Sequence, residues 1–283
     1  MPLHEPLTKD TIMTACTVIG LGEAGATYAA ALVAAGHQVT GFDPVAPDTP
    51  AGVFRATTAA EACVAADIVL VLTGAAAARS VAEECLPVMA EGSCYADFTS
   101  SSPHVMKELG QLPTNADFAD VAILGPVPTQ GVKTPLMVSG PGAAAVAALL
   151  APMGAAVEIA DGEPGAAMAH KLLRSVLMKG FASVVVEAVT AGRAAGLEDW
   201  IRGQIARQLA GDGQAVIDRF LVGTAKHARR RSKEMQDTAS FLQDDLKVPA
   251  EMTTAAASAL ERMAVEPADE PAAEPAGKAG VLR

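Results

Sequence analysis

Cys16-Thr17-Val18-Ile19-Gly20-Leu21-Gly22-Glu23-Ala24-Gly25 runs a short β-branched segment into three glycines spaced as Gly-x-Gly-x-x-Gly. Each glycine has a physical task. Gly20 permits the tight turn out of a strand, Gly22 lets backbone approach a pyrophosphate with no Cβ in the way, and Gly25 lets the next helix pack close to the strand. The free N–H groups and positive dipole end of that helix then face the phosphates. The context agrees on both sides: an apolar strand comes first, and alanine-rich residues 26–35 follow as a helix stopped by Gly36. The loop of Gly20, Leu21, Gly22, Glu23, Ala24 and Gly25 is therefore the expected dinucleotide cradle. Residues 37–42 read as a second strand ending in Asp43, 18 residues past Gly25, where a carboxylate accepts hydrogen bonds from ribose hydroxyls. No Arg or Lys follows before Arg55, so the expected cofactor is NAD rather than NADP.

With 283 residues the chain is long enough for two domains. It is 51% hydrophobic but only 4% aromatic, so its cores must be built from Ala, Val, Leu and Met. A net charge of −11 argues against nucleic-acid or anionic-membrane partners and leaves a small-molecule substrate as the default. Cys16, Cys63, Cys85 and Cys94 lack metal-like spacing and fall inside predicted elements, which makes them buried reduced thiols and leaves no metal site. Residues 1–10 have no apolar core of a signal peptide, and no apolar run has membrane-spanning length. The expected location is cytoplasmic.

Asp67-Ile68-Val69-Leu70-Val71-Leu72 is a continuous apolar run, the mark of a strand buried on both faces of a parallel sheet. Thr73 then lies at a carboxyl end, where open α/β sheets bind ligands. A helix over 75–89 and a strand over 94–98 lead into Thr99-Ser100-Ser101-Ser102-Pro103. A helix N-cap before Pro103 needs one of those hydroxyls; one cap does not need four, so substrate contact by the others stands beside it. Further strands are expected at 118–123, 136–140 and 156–159. The Pro/Gly-rich loop 124–131 suits either substrate positioning or plain connection. From Gly165 to about Ala191 the sequence reads as one long helix leading into an all-helical region, with helices near 198–209, 215–222, 224–246 and 250–263. The expected organisation is α/β: a Rossmann NAD-binding domain at 14–162, a helical substrate and dimerisation domain at 163–264, and a disordered tail at 265–283.

Lys171 sits early in the long helix, with Arg174 and Ser175 three and four residues on and so on the same face. A neighbouring cation and partial desolvation both favour the neutral amine, which can exchange a proton. Helical lysines are ordinarily solvated charges; here Leu172, Leu173, Val176 and Leu177 leave little of the helix to face bulk water. His170 points about 100° away and reads as packing.

These residues resemble the β-hydroxyacid dehydrogenase family, which includes 3-hydroxyisobutyrate and 6-phosphogluconate dehydrogenases, over roughly residues 16–263. Four blocks carry the resemblance: the glycine fingerprint with Asp43; Asp97-Phe98-Thr99-Ser100-Ser101-Ser102-Pro103; the strand and loop 120–140; and Gly165 with Lys171. The resemblance implies a Rossmann domain, a long interdomain helix and an all-α domain that forms a homodimer. It implies Lys171 as general acid/base, with Thr99 and Ser100 near the substrate carboxylate. Gly125, Pro126, Arg174 and Ser175 complete the expected substrate contacts, and Lys233-Glu234-Met235 resembles a family Lys-Asp-Leu near the nicotinamide, adding Lys233 to the cofactor set. Two substrate-orienting positions depart from the family pattern: Ser175 replaces an Asn and Leu124 a Ser. Lys179-Gly180, Glu187 and His227-Ala228-Arg229-Arg230 look like a branch with a 6-phosphogluconate-dehydrogenase-like C-terminal domain. The basic run Arg229 to Arg231 is either a solvated face or a site for an anionic substrate.

The expected activity is NAD-dependent hydride transfer to or from the hydroxyl-bearing carbon of a small hydroxy acid. Imine or ketone reduction on the same architecture is the alternative enzyme, although imine reductases generally replace the lysine. A non-catalytic dinucleotide sensor is the alternative outside enzymes.

Overall fold

The computed structural model describes residues 13–265. The expectations for residues 1–10 and for the tail beyond 265 lie outside the described residues. Among the described residues eight strands form one sheet: β1 (Ala15–Ile19), β2 (Gln38–Phe42), β3 (Val53–Arg55), β4 (Ile68–Val71), β5 (Cys94–Asp97), β6 (Asp117–Ile123), β7 (Leu136–Ser139) and β8 (Val157–Ile159). Their order is β3-β2-β1-β4-β5-β6-β7-β8, and every neighbouring pair is parallel except β6 with β7. The order reverses between β1 and β4, which opens a crevice at their carboxyl ends. This is the expected Rossmann-like sheet. β3 is an addition to the sequence reading: only three residues long, with Phe54 66% exposed, it is an edge strand without the apolar run of a central one.

Helices α1 (Glu23–Ala34), α2 (Ala59–Cys63), α3 (Ala78–Cys85), α4 (Pro103–Leu109), α5 (Val127–Gln130) and α6 (Ala143–Leu150) accompany the sheet. Alternation along the strands builds two cores. On one face Val18, Leu70, Ala96 and Val121 pack with Tyr28 and Leu32 of α1 and with Val146 and Leu150 of α6. On the other, Ile19, Val71, Tyr95 and Phe118 pack with α2, α3 and α4, and with Ala167 and Met168. Those last two residues belong to the first turn of α7 (Ala166–Ala194), the long helix read from the sequence. All four cysteines are buried free thiols, and burial pushes the thiols of Cys16 and Cys94 up to about 12.

Two compact units divide between Ser175 and Val176, inside α7. The second is helical: α8 (Glu198–Leu209), α9 (Gly213–Lys226), α10 (Ala228–Ser240) and α11 (Glu251–Val265) follow the rest of α7. The stretch 224–246, read as one helix, breaks at His227, whose φ of −116° leaves the helical range, and ends in a π-helical turn over Phe241–Asp245. Apolar periodicity does not register a one-residue break. Leu173, Val176 and Leu177 are 66–75% exposed, and Leu172 is 49% exposed. The expectation that little of this part of α7 faces bulk water is therefore corrected: among the described residues these side chains stand exposed. No described helix is long and apolar enough to cross a membrane.

Candidate functional site

The glycine loop has the shape its spacing demands. Gly20 leaves β1 with φ +92°, and a Cβ there would stand 2.8 Å from the Leu72 carbonyl oxygen. A Cβ on Gly25 would stand 1.8 Å from the Gly20 carbonyl oxygen, so only glycine lets α1 start this close to the strand. Gly22 is the opposite case, with open space within 4 Å of its ideal Cβ. No side chain caps α1 at Gly22, which leaves the N–H groups that follow, those of Glu23 and Ala24 included, available to an anion. Thr73, at the carboxyl end of β4, lines the same crevice: its methyl lies 2.9 Å from the Gly20 Cβ position, and its buried hydroxyl has no partner among the described residues. A cradle that a Cβ would fill and an orphan hydroxyl beside it fit a pyrophosphate.

Asp43 follows β2 at the same edge, yet its carboxylate is engaged. Oδ2 accepts from the Leu21 N–H at 2.7 Å, and Oδ1 accepts from Val45 and Ala46 N–H at 2.7 and 2.9 Å. Burial works against the charged form, but these bonds and the Arg55 guanidinium outweigh it and hold the carboxyl below its ordinary range. Arg55, distant in sequence, stands over this loop: it donates to the Asp43 carbonyl at 2.7 Å, the Ala46 carbonyl at 2.8 Å and the Thr49 hydroxyl at 3.1 Å. Arg55 is remote from Asp43 along the chain, and pairing of β3 with β2 brings it beside the acid.

The four consecutive hydroxyls divide their work. Ser102 caps α4, accepting from Val105 N–H at 3.3 Å with Pro103 in the first turn. Thr99 is buried, its hydroxyl bonded to that of Ser101 at 2.8 Å and its N–H donating to Asp97 Oδ1 at 2.8 Å. Ser100 Oγ accepts from Nζ of the half-buried Lys171 at 3.0 Å. Two residues that sequence reasoning assigned no role hold the base of this arrangement. Asp120 Oδ2 accepts from Gly165 and Met168 N–H at 2.9 and 3.1 Å, and Ser139 Oγ accepts from Ala167 N–H at 2.9 Å. Gly165, with φ +105°, makes this possible: a Cβ there would lie 2.5 Å from the Pro103 carbonyl oxygen. Burial raises the Asp120 carboxyl despite these bonds, and pushes Asp97 up to about 6.

Gly125 and Pro126 lie past β6 at the same carboxyl edge, Gly125 half-buried and Pro126 exposed. On α7, Ser175 is half-buried and Arg174 exposed. Lys233 lies in the helical unit on α10, exposed, and with Lys226, His227, Arg229, Arg230 and Glu234 lines a shallow concavity. Arg230 is paired there with Glu234, and Arg231 donates to the Thr224 hydroxyl. An apolar cavity of about 440 Å³ in the same unit includes Trp200, Ile201 and Phe241. Its carboxylate, Glu187, is spent on Met252 and Thr253 N–H at the start of α11.

Residues 15–162 match the family described as the NAD binding domain of 6-phosphogluconate dehydrogenase, and the chain belongs to that family. Residues 193–263 match a domain of unknown function, DUF1932. No curated protein matches the sequence. Among solved structures, a conserved hypothetical protein from Sinorhizobium meliloti is 27% identical, with 91% of each chain covered and a TM-score of 0.60. A conserved protein of unknown function, described as structurally similar to 3-hydroxyacid dehydrogenases, is also 27% identical, covering 88% of this chain and 96% of its own at a TM-score of 0.61. An imine reductase from Streptomyces aurantiacus is 23% identical over 88% of this chain and 93% of its own, with a TM-score of 0.72, a likeness of fold.

Proposed function

We propose that this chain is an NAD-dependent oxidoreductase acting on the hydroxyl-bearing carbon of a small hydroxy acid, with Lys171 as the proton-exchanging group. The observation that carries the reading is the 3.0 Å contact of Lys171 Nζ with Ser100 Oγ at the carboxyl edge of the sheet that also holds the glycine cradle. When bound, the nicotinamide takes or returns the hydride. Gly20, Leu21, Gly22, Glu23, Ala24 and Gly25 hold the pyrophosphate, Thr73 lines its crevice, and Asp43 takes the ribose. Ser100 and the backbone at Thr99 orient the substrate carboxylate, with Gly125, Pro126, Arg174 and Ser175 around it. Lys171 in its neutral form accepts the hydroxyl proton during oxidation and gives it back during reduction. Lys233 belongs to the proposed cofactor set.

The unpaired apolar stripe of α7, continued by exposed Phe181, supports a homodimer through the helical domain, because patches of this kind mark protein interfaces. Four buried free thiols support a cytoplasmic protein.

The test is NADH formation from a panel of 2- and 3-hydroxy acids and phosphorylated sugar acids by wild type and Lys171→Ala, with sedimentation to read the oligomer. Turnover that collapses in the variant is expected. NADH binding without turnover on any acid, together with reduction of a cyclic imine, overturns the reading in favour of imine chemistry.

A further inference from the structure

Asp120 and Asp97 are in-register neighbours on β6 and β5, so their side chains share a face of the sheet. Both are 0% exposed. Asp120 Oδ2 collects three donors: Gly165 N–H, Met168 N–H and, at 3.3 Å, the Ser139 hydroxyl. Ser139 in turn accepts from Ala167 N–H, so three amides within one turn at the start of α7 are tied to β6 and β7. These are the N–H groups that a helix start leaves without intrahelical partners. Asp97 performs the parallel task next door, its Oδ1 fixing the Thr99 N–H and with it the turn that presents Ser100. Each acid keeps one buried oxygen, Asp97 Oδ2 and Asp120 Oδ1, with no hydrogen-bond partner among the described residues.

We propose that Asp97 and Asp120 form a clamp that sets the separation of Ser100 and Lys171, Asp120 holding the helix that carries the lysine and Asp97 the loop that carries the serine. Both are positioning residues, and their role rests on the reading of Lys171 as the proton-exchanging group. Lys171 lies three residues beyond Met168, one turn from the last anchored amide. A slide or rotation of that first turn moves Nζ directly. Two neighbouring buried carboxylates destabilise a fold where apolar residues would not. What this pair provides is geometry, since each acid fixes one side of a single contact.

The experiment uses the full chain with Asp120→Asn, Asp97→Asn and Ser139→Ala, alone and combined with Lys171→Ala. Three quantities are read: kcat and KM across pH, NADH affinity, and the rate at which acetic anhydride acylates Lys171, followed by peptide mass. We expect Asp120→Asn to lower kcat by about 10²-fold, the cost of an ångström-scale misplacement. NADH affinity should hold, the acylation rate of Lys171 should change, and the kcat loss should vanish in the Lys171→Ala background. Ser139→Ala, which removes one hydroxyl, should act in the same direction and keeps the test decisive if Asp120→Asn does not fold. Folded variants with wild-type kcat, pH profile and acylation rate overturn the clamp. If Lys171→Ala itself keeps wild-type turnover, the proton-exchange reading fails, whereas the acylation rates still decide whether the acids place the lysine.

Discussion

Lys171 Nζ donates to Ser100 Oγ at 3.0 Å across 71 positions of sequence, joining the first turns of α7 to the loop after β5. Neither residue is remarkable for its type; together they put an amine and a hydroxyl at the sheet edge where ligands of such folds bind. Removing the amine should cost about 10²–10⁴-fold in kcat, the range of general acid–base catalysis. Ser100→Ala should cost less, about tenfold through KM and kcat together, because it orients without carrying the proton. Steady-state kinetics beside a fluorescence titration of NADH separate these effects from cofactor loss.

Two glycines of the cradle should respond differently to the same methyl group. Gly25→Ala places a Cβ 1.8 Å from the Gly20 carbonyl oxygen, so the helix must move and both stability and NADH binding should fall. Gly22→Ala meets nothing within 4 Å, so its melting temperature should stay near wild type while NADH affinity drops. Calorimetry with and without NADH checks both; equal melting losses for the two variants would contradict the assignment of Gly22 to ligand approach.

Cofactor choice should depend on the Asp43 and Arg55 pair rather than on Asp43 alone. Asp43→Asn should weaken NADH binding by about tenfold, the worth of one hydrogen bond to a charged acceptor. Arg55→Ala releases the loop its guanidinium staples and removes the nearby cation, and should lower NADPH affinity more than NADH affinity. Paired titrations of the two nucleotides measure the ratio, and an unchanged ratio in Arg55→Ala would remove that residue from the adenosine end.

Asp97 should leave a signature in pH-dependent stability. Its carboxyl stands at about 6 against an ordinary 3.8 because burial disfavours the charge, with the Asp120 carboxylate adding to it. The folded state therefore binds the proton more tightly than the unfolded one, and stability declines as pH rises from about 4 through about 6. The shift corresponds to about 3 kcal/mol. Asp97→Asn removes this penalty, so its urea midpoint should exceed wild type above about pH 6 and converge with it in acid, even though its kcat is lower. Parallel pH curves for the two proteins would count against it.

Much of this molecule could be read along the chain because its signals are local. The run Ile68–Val71 announces a central strand by apolar continuity, and the glycine triplet announces a strand-to-helix turn by spacing. Ser102 before Pro103 announces a cap. Arg55 could not be placed this way, since its partner Asp43 is reached only when a three-residue edge strand pairs with β2. Asp120 and Ser139 were invisible for a related reason: each reads as one polar residue in an apolar strand, and their task appears only when β7 turns antiparallel to β6 and the start of α7 comes down on both.

What the sequence by itself determined is most of the elements and their chemistry: a dinucleotide fold, a long helix with a lysine near its start, and a hydroxyl-rich loop. Periodicity, glycine spacing and capping act within a few residues, so they survive without the fold. Tertiary structure alone decided which of the four hydroxyls meets Lys171, that Asp43 shares its loop with Arg55, and that two buried acids hold the lysine helix and the serine loop. Those are contacts between segments tens of residues apart. They depend on strand order and on which side chains burial brings face to face, and no local pattern encodes either.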